Sequence, residues 1–120
     1  MTNILLIEDN PEIRENITEI LELASYNVIA AVNGKEGVAL MKHHQPDLIL
    51  CDVWMPEMNG HEVFNFIKLN PATAKTPFVF VTASAEKKEM DEAIARGADG
   101  YICKPFDTSD LLNIIESCLS

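Results

Sequence analysis

Five short apolar runs, none broken by polar alternation, constrain this chain more than any other feature. They occupy residues 4–7, 28–31, 48–51, 78–81 and 101–103. A strand with one wet face alternates apolar and polar residues, whereas an unbroken apolar run of this length suits a strand buried on both faces. Between the runs lie segments of helical period. Ile13, Ile17, Ile20, Leu21 and Ala24 share one face of the first, and Val38 and Met41 mark the second. Val63, Phe66 and Ile67 mark the third, and Met90, Ala93 and Ile94 the fourth. Leu111, Leu112, Ile115, Cys118 and Leu119 mark the fifth. Doubly buried strands alternating with helices imply βαβ units and a parallel sheet. The expected fold is one α/β domain over residues 1–120, a doubly wound five-stranded parallel sheet in the order 2-1-3-4-5.

Local signals punctuate the same segments. Asn10-Pro11 reads as an N-cap followed by proline at N1, and Asn33 with Glu36 as a capping box. Asp107 is placed to cap the last helix, with Phe106 stapling onto Leu111. Gly97 suits a left-handed close to the fourth helix.

Composition excludes several classes. Nineteen acidic against nine basic residues give a net charge of −10, a surface poorly suited to direct contact with nucleic acid. No apolar run is long enough to span a membrane. The start, Met1-Thr2-Asn3, lacks the positive charge of a signal peptide. Cys51, Cys103 and Cys118 are odd in number and form no C-x-x-C, so they read as small buried hydrophobes in a reducing, cytoplasmic setting. His43, His44 and His61 stand at no metal-ligand spacing from them.

The polar residues at the strand ends point to chemistry. Glu8 and Asp9 follow the first run, Asp52 the third, Thr82 the fourth and Lys104 the fifth. Open parallel sheets bind ligands beyond the carboxyl ends of their strands, where the strand order reverses. That point lies between strands one and three, so Glu8, Asp9 and Asp52 meet there, flanked by Thr82 and Lys104. Three converging carboxylates repel one another, and a hard divalent cation relieves the repulsion. Mg²⁺ suits the oxygen donors and leaves room for a phosphate oxygen. Lys104 supplies a cation for that phosphate, and Thr82 a hydroxyl. A carboxylate nucleophile, a metal and an ammonium group together make a site for phosphoryl transfer to Asp52.

The residues Glu8-Asp9, Asp52-Val53-Trp54-Met55-Pro56 with Gly60, Thr82-Ala83 and Lys104-Pro105-Phe106 resemble the motifs of response-regulator receiver domains. The resemblance spans essentially the whole chain. It implies a flavodoxin-like (βα)₅ fold and Mg²⁺-dependent phosphorylation of Asp52, with Mn²⁺ as a possible substitute. By the same resemblance Asp9, Asp52 and the backbone carbonyl of Trp54 ligate the metal, and Glu8 contributes through water. Thr82 and Lys104 hold phosphoryl oxygens, and small Ala83 leaves room beside them. Tyr101 is the implied aromatic switch, turning from exposed to buried, and Lys104-Pro105 a cis peptide. The implied partners are a histidine kinase or histidine phosphotransfer protein and a downstream protein target or effector domain. The implied role is a signalling switch that assists its own phosphorylation and dephosphorylation, with output through the fourth helix, fifth strand and fifth helix. Glu8 departs from the aspartate of many members.

Other classes fit less well. A flavodoxin-like cofactor binder needs a Gly-, Ser- or Thr-rich phosphate cradle after strand one, and Glu8-Asp9-Asn10-Pro11 would repel phosphate. A haloacid-dehalogenase-like phosphatase carries its nucleophile after the first strand in an Asp-x-Asp pattern, absent here. A receiver degenerated to an interaction module would lose the acceptor, an acid or the lysine, and all three are present.

Overall fold

The computed structural model describes residues 2–83 and 86–120. Met1, included in the expected domain, lies outside them, as do Ser84 and Ala85. Ten elements alternate: β1 (Asn3–Ile7), α1 (Pro11–Leu23), β2 (Asn27–Ala31), α2 (Gly34–Leu40), β3 (Leu48–Asp52), α3 (Gly60–Leu69), β4 (Phe78–Thr82), α4 (Lys87–Ala95), β5 (Gly100–Cys103) and α5 (Thr108–Leu119). All strand pairs are parallel and the order is β2-β1-β3-β4-β5, as expected.

The apolar runs divide their side chains between two cores, because successive strand residues point to opposite faces. Ile4, Leu6, Leu48, Leu50, Val79 and Val81 pack against Ile17 and Leu21 of α1 and Leu111 and Ile115 of α5. Leu5, Ile7, Ile49, Cys51, Phe78 and Phe80 pack on the other face, with Val63, Phe64 and Ile67 of α3 and Ala93 of α4. Two helices thus cover one face and α2, α3 and α4 the other. Every strand of the central trio is buried on both sides, which is why its sequence shows no alternation.

Several local expectations need correction. In α3 it is Phe64 that is buried, and Phe66 is exposed. The helix begins at Gly60, so Val63, Phe64 and Ile67 face the sheet and Phe66 lies two residues further round. Asp107 stands at the N-cap of α5 but makes no side-chain cap bond. Asn33 accepts from the Glu36 N–H at 2.8 Å, but Glu36 reaches past the cap to the Val32 N–H at 3.2 Å. The reciprocal capping box is on α3, between Asn59 and Glu62. The cap at Asn10 and the left-handed Gly97 follow expectation.

The α3 cap fixes the loop after Asp52. The Gly60 N–H donates to the Val53 carbonyl at 2.8 Å, drawing the helix start against the end of β3. A Cβ at residue 60 would collide with the Asp52 carbonyl oxygen and come 2.9 Å from Val53 Cα. Gly60→Ala is therefore expected to destabilise the domain by about 1–3 kcal/mol through overpacking against backbone. Urea unfolding measures it, and an unchanged midpoint would contradict the close packing.

Candidate functional site: a carboxylate cluster at the sheet switch point

The first two acids reach the site through the turn between β1 and α1. The Asn10 side chain accepts from the N–H groups of Glu12 and Ile13, so the chain turns into the helix directly after Asp9. Arg14 Nη1 donates to the carbonyls of Glu8 at 3.0 Å and Asp9 at 3.5 Å. Arg14 is a residue that sequence reasoning missed. Its signal was a cation in the first turns of a helix, where the macrodipole disfavours it, with no acidic side chain four residues away.

The strand ends bring the acids together as expected. One carboxylate oxygen each from Glu8, Asp9 and Asp52 lies within 4.8 Å of the others, the only such acid, His or Cys group among the described residues. Asp52 and Thr82 are the final residues of β3 and β4, not the residues after them, so both remain in the ladder. Glu8 is 1% and Asp52 7% exposed, while Asp9 is half-buried. Lys104 Nζ donates to Glu8 Oε1 at 2.7 Å and stands 3.5 Å from Asp52 Oδ2. The Lys104 N–H donates to the Thr82 carbonyl at 2.7 Å, and the Lys104–Pro105 peptide is cis, as the resemblance implied.

Thr82 is fully buried, and its side chain is hydrogen-bonded to that of Tyr101. Tyr101 is only 9% exposed, against the expectation of an exposed tyrosine waiting to turn inward. Phe80 accounts for this, its ring 6.2 Å from that of Tyr101 at the edge of the aromatic cluster Phe64–Phe78–Phe80. Trp54, two residues past Asp52, is 60% exposed, and Ala83 is exposed beside Thr82.

Burial dominates the electrostatics. Desolvation pushes the Glu8 carboxyl from 4.5 up to about 7, against the Lys104 hydrogen bond and with the help of the Asp52 charge. Asp52 is raised too, first by burial and then by Asp9, with Lys104 opposing. Three carboxylates thus face one ammonium group in a water-poor site. An all-oxygen donor set with surplus negative charge fits a hard divalent cation.

Known proteins match this architecture. Residues 4–116 match the response regulator receiver domain family. The chain is 32% identical to protein PilH of Pseudomonas aeruginosa, covering 100% of this chain and 99% of PilH. It is 35% identical to the DNA-binding dual master transcriptional regulator RpaA of Synechocystis sp., covering 99% of this chain but 49% of RpaA. It therefore spans about half the length of some curated relatives and nearly all of others. The chemotaxis protein CheY4 of Vibrio cholerae superposes with a TM-score of 0.93 at 30% identity, with 99% of both chains covered. The chain belongs to the response regulator receiver domain family. Its function is that of a phospho-acceptor in two-component signalling. None of its described helices is long and apolar enough to cross a membrane.

The raised Glu8 value carries a pH signature. The folded state holds a proton that the unfolded chain releases near 4.5. Stability from this group is full below that pH and is lost as pH rises through about 7. Metal-free protein is expected to lose stability between pH 5 and 7, roughly the window between those two values, and Glu8→Gln to flatten the slope. Urea midpoints across that range measure it, and wild type and Glu8→Gln with equal slopes would contradict it.

Proposed function

We propose that Asp52 is the phosphoacceptor, and that it takes the phosphoryl group from a phosphohistidine on a kinase or phosphotransfer protein. The observation that carries this reading is the convergence of Glu8 and Asp9, which follow β1, and the ammonium of Lys104 on the buried Asp52 carboxylate. In the transfer, an Asp52 oxygen forms a bond to phosphorus as the phosphorus–nitrogen bond to the donor histidine breaks. The electron pair leaves with the imidazole, and the product is an acyl phosphate.

Each neighbouring side chain has a task. Asp9, Asp52 and the Trp54 carbonyl would hold Mg²⁺, or Mn²⁺ in its place, with Glu8 acting through water. When bound, the metal supplies positive charge that offsets the carboxylates and the incoming phosphoryl oxygens. The Lys104 ammonium ion-pairs with one phosphoryl oxygen, and the Thr82 hydroxyl donates to another. Ala83 adds no bulk beside them. The chain acts on its own Asp52, assisting both gain and loss of the phosphoryl group, in the cytoplasm. Its target is a downstream protein or an effector domain.

Asp52→Asn is expected to abolish uptake of phosphate from acetyl phosphate, because an amide is a poor nucleophile, and chelation of Mg²⁺ to abolish it in wild type. Intact-mass measurement decides this. Undiminished uptake by Asp52→Asn would overturn the assignment.

For output, the buried Tyr101 shifts the expected mechanism. A phosphoryl group that recruits the Thr82 hydroxyl acts on a threonine already bonded to Tyr101, so it stabilises or re-forms an inward arrangement. Moving a 1:99 population to 99:1 takes about 5.5 kcal/mol, whereas one charge-assisted hydrogen bond supplies about 1.5–3 kcal/mol. Lys104 and the metal must therefore contribute alongside Thr82. The responsive element is α4, whose only buried residue is Ala93, with Met90 half-buried and Ile94 exposed. Beryllofluoride is expected to change amide exchange in α4, β5 and α5. Changes confined to the acid loops would contradict this output route.

A further inference from the structure

Glu8 does something here that a shorter acid at the same position cannot. It follows β1, whereas Lys104 follows β5, three strands away across the sheet. At roughly 4.8 Å per strand the backbones are on the order of 14 Å apart, so both side chains must extend over Asp52 and Thr82 to meet. They meet at 2.7 Å, while the acceptor carboxylate stands 3.5 Å from the same ammonium. Glu8 is held for this contact: it is 1% exposed, and its second oxygen accepts from the Asn10 N–H at 3.2 Å. Lys104 therefore has its closest carboxyl group in Glu8, not in the residue that receives the phosphoryl group.

We propose that Glu8 is a rate-setting positioning residue, a built-in competitor that holds Lys104 until an incoming phosphoryl oxygen displaces it. This rests on Asp52 being the acceptor. The extra methylene of glutamate gives the contact its reach: an aspartate would end about 1.5 Å short. With that shorter acid, Asp52 becomes the nearest anion to the ammonium, and Lys104 stands ready at the acceptor. A glutamate at this position slows phosphorylation and keeps the resting site closed to adventitious small donors.

The test compares wild type with Glu8→Asp at saturating Mg²⁺, following the labelling rate with acetyl phosphate. Labelling of Glu8→Asp is expected to be faster by roughly tenfold, the equivalent of one charge-assisted hydrogen bond removed from the competing state. A second readout needs no turnover. In metal-free protein above pH 7, where Glu8 is ionised, the ¹H–¹⁵N signal of the Lys104 ammonium should shift in Glu8→Asp as its nearest carboxylate changes from Glu8 to Asp52. Equal or slower labelling of Glu8→Asp would overturn the proposal, as would an ammonium signal that ignores the substitution. Those results leave Asp52 as the acceptor, whereas absence of label on Asp52 in both proteins overturns both readings.

Discussion

Buried negative charge at one end of the sheet is the constraint on which the remaining structure depends. Glu8 and Asp52 lie almost wholly out of water, within 4.8 Å of each other and of Asp9. Isolated carboxylates in such surroundings cost several kcal/mol each, and a domain of this size has only about 5–15 kcal/mol of net stability. Lys104 offsets part of that cost through its 2.7 Å contact with Glu8. Protonation offsets another part, which is what the elevated Glu8 value near 7 expresses. The remainder is a standing affinity for positive charge, the property a phosphoryl-accepting site requires.

The sheet makes this strain tolerable. Central strands buried on both faces supply two apolar cores, one under α1 and α5 and one under α2, α3 and α4. The carboxyl ends of β1, β3, β4 and β5 then open on one edge, where helix starts and turns supply N–H groups. Asn10 caps α1 and turns the chain after Asp9, Arg14 ties down the Glu8 and Asp9 carbonyls, and Gly60 pins the loop after Asp52. These bonds fix the backbone on the side of the acids. The helix α4 is the most lightly anchored nearby element, with Ala93 its only buried residue.

Most of this was legible in the sequence because it depends on patterns longer than any one contact. Five unbroken apolar runs specify doubly buried strands, and polar residues at their ends specify which edge is chemical. The errors have local causes. Phe66 for Phe64 reflects a helix phase that only the Asn59–Glu62 cap determines. Tyr101 was expected to be exposed because the resemblance implied a switch that turns inward, but it already packs beside Phe80 and interacts with Thr82. The Lys104–Glu8 pair was not foreseen. Their strands are not neighbours, and only the real lengths of two extended side chains reveal that they touch.

Paramagnetic broadening by Mn²⁺ tests most directly whether the fold's buried charge is a cation site. In a titration of ¹⁵N-labelled protein, the amides at the ends of β1 and β3, from Glu8 to Asn10 and from Asp52 to Met55, should disappear first. Those at the opposite edge of the sheet, around Asn3 and Asn27, should stay sharp. Broadening centred elsewhere, for example on the exposed glutamates Glu12, Glu15, Glu19 and Glu22 of α1, would contradict the account.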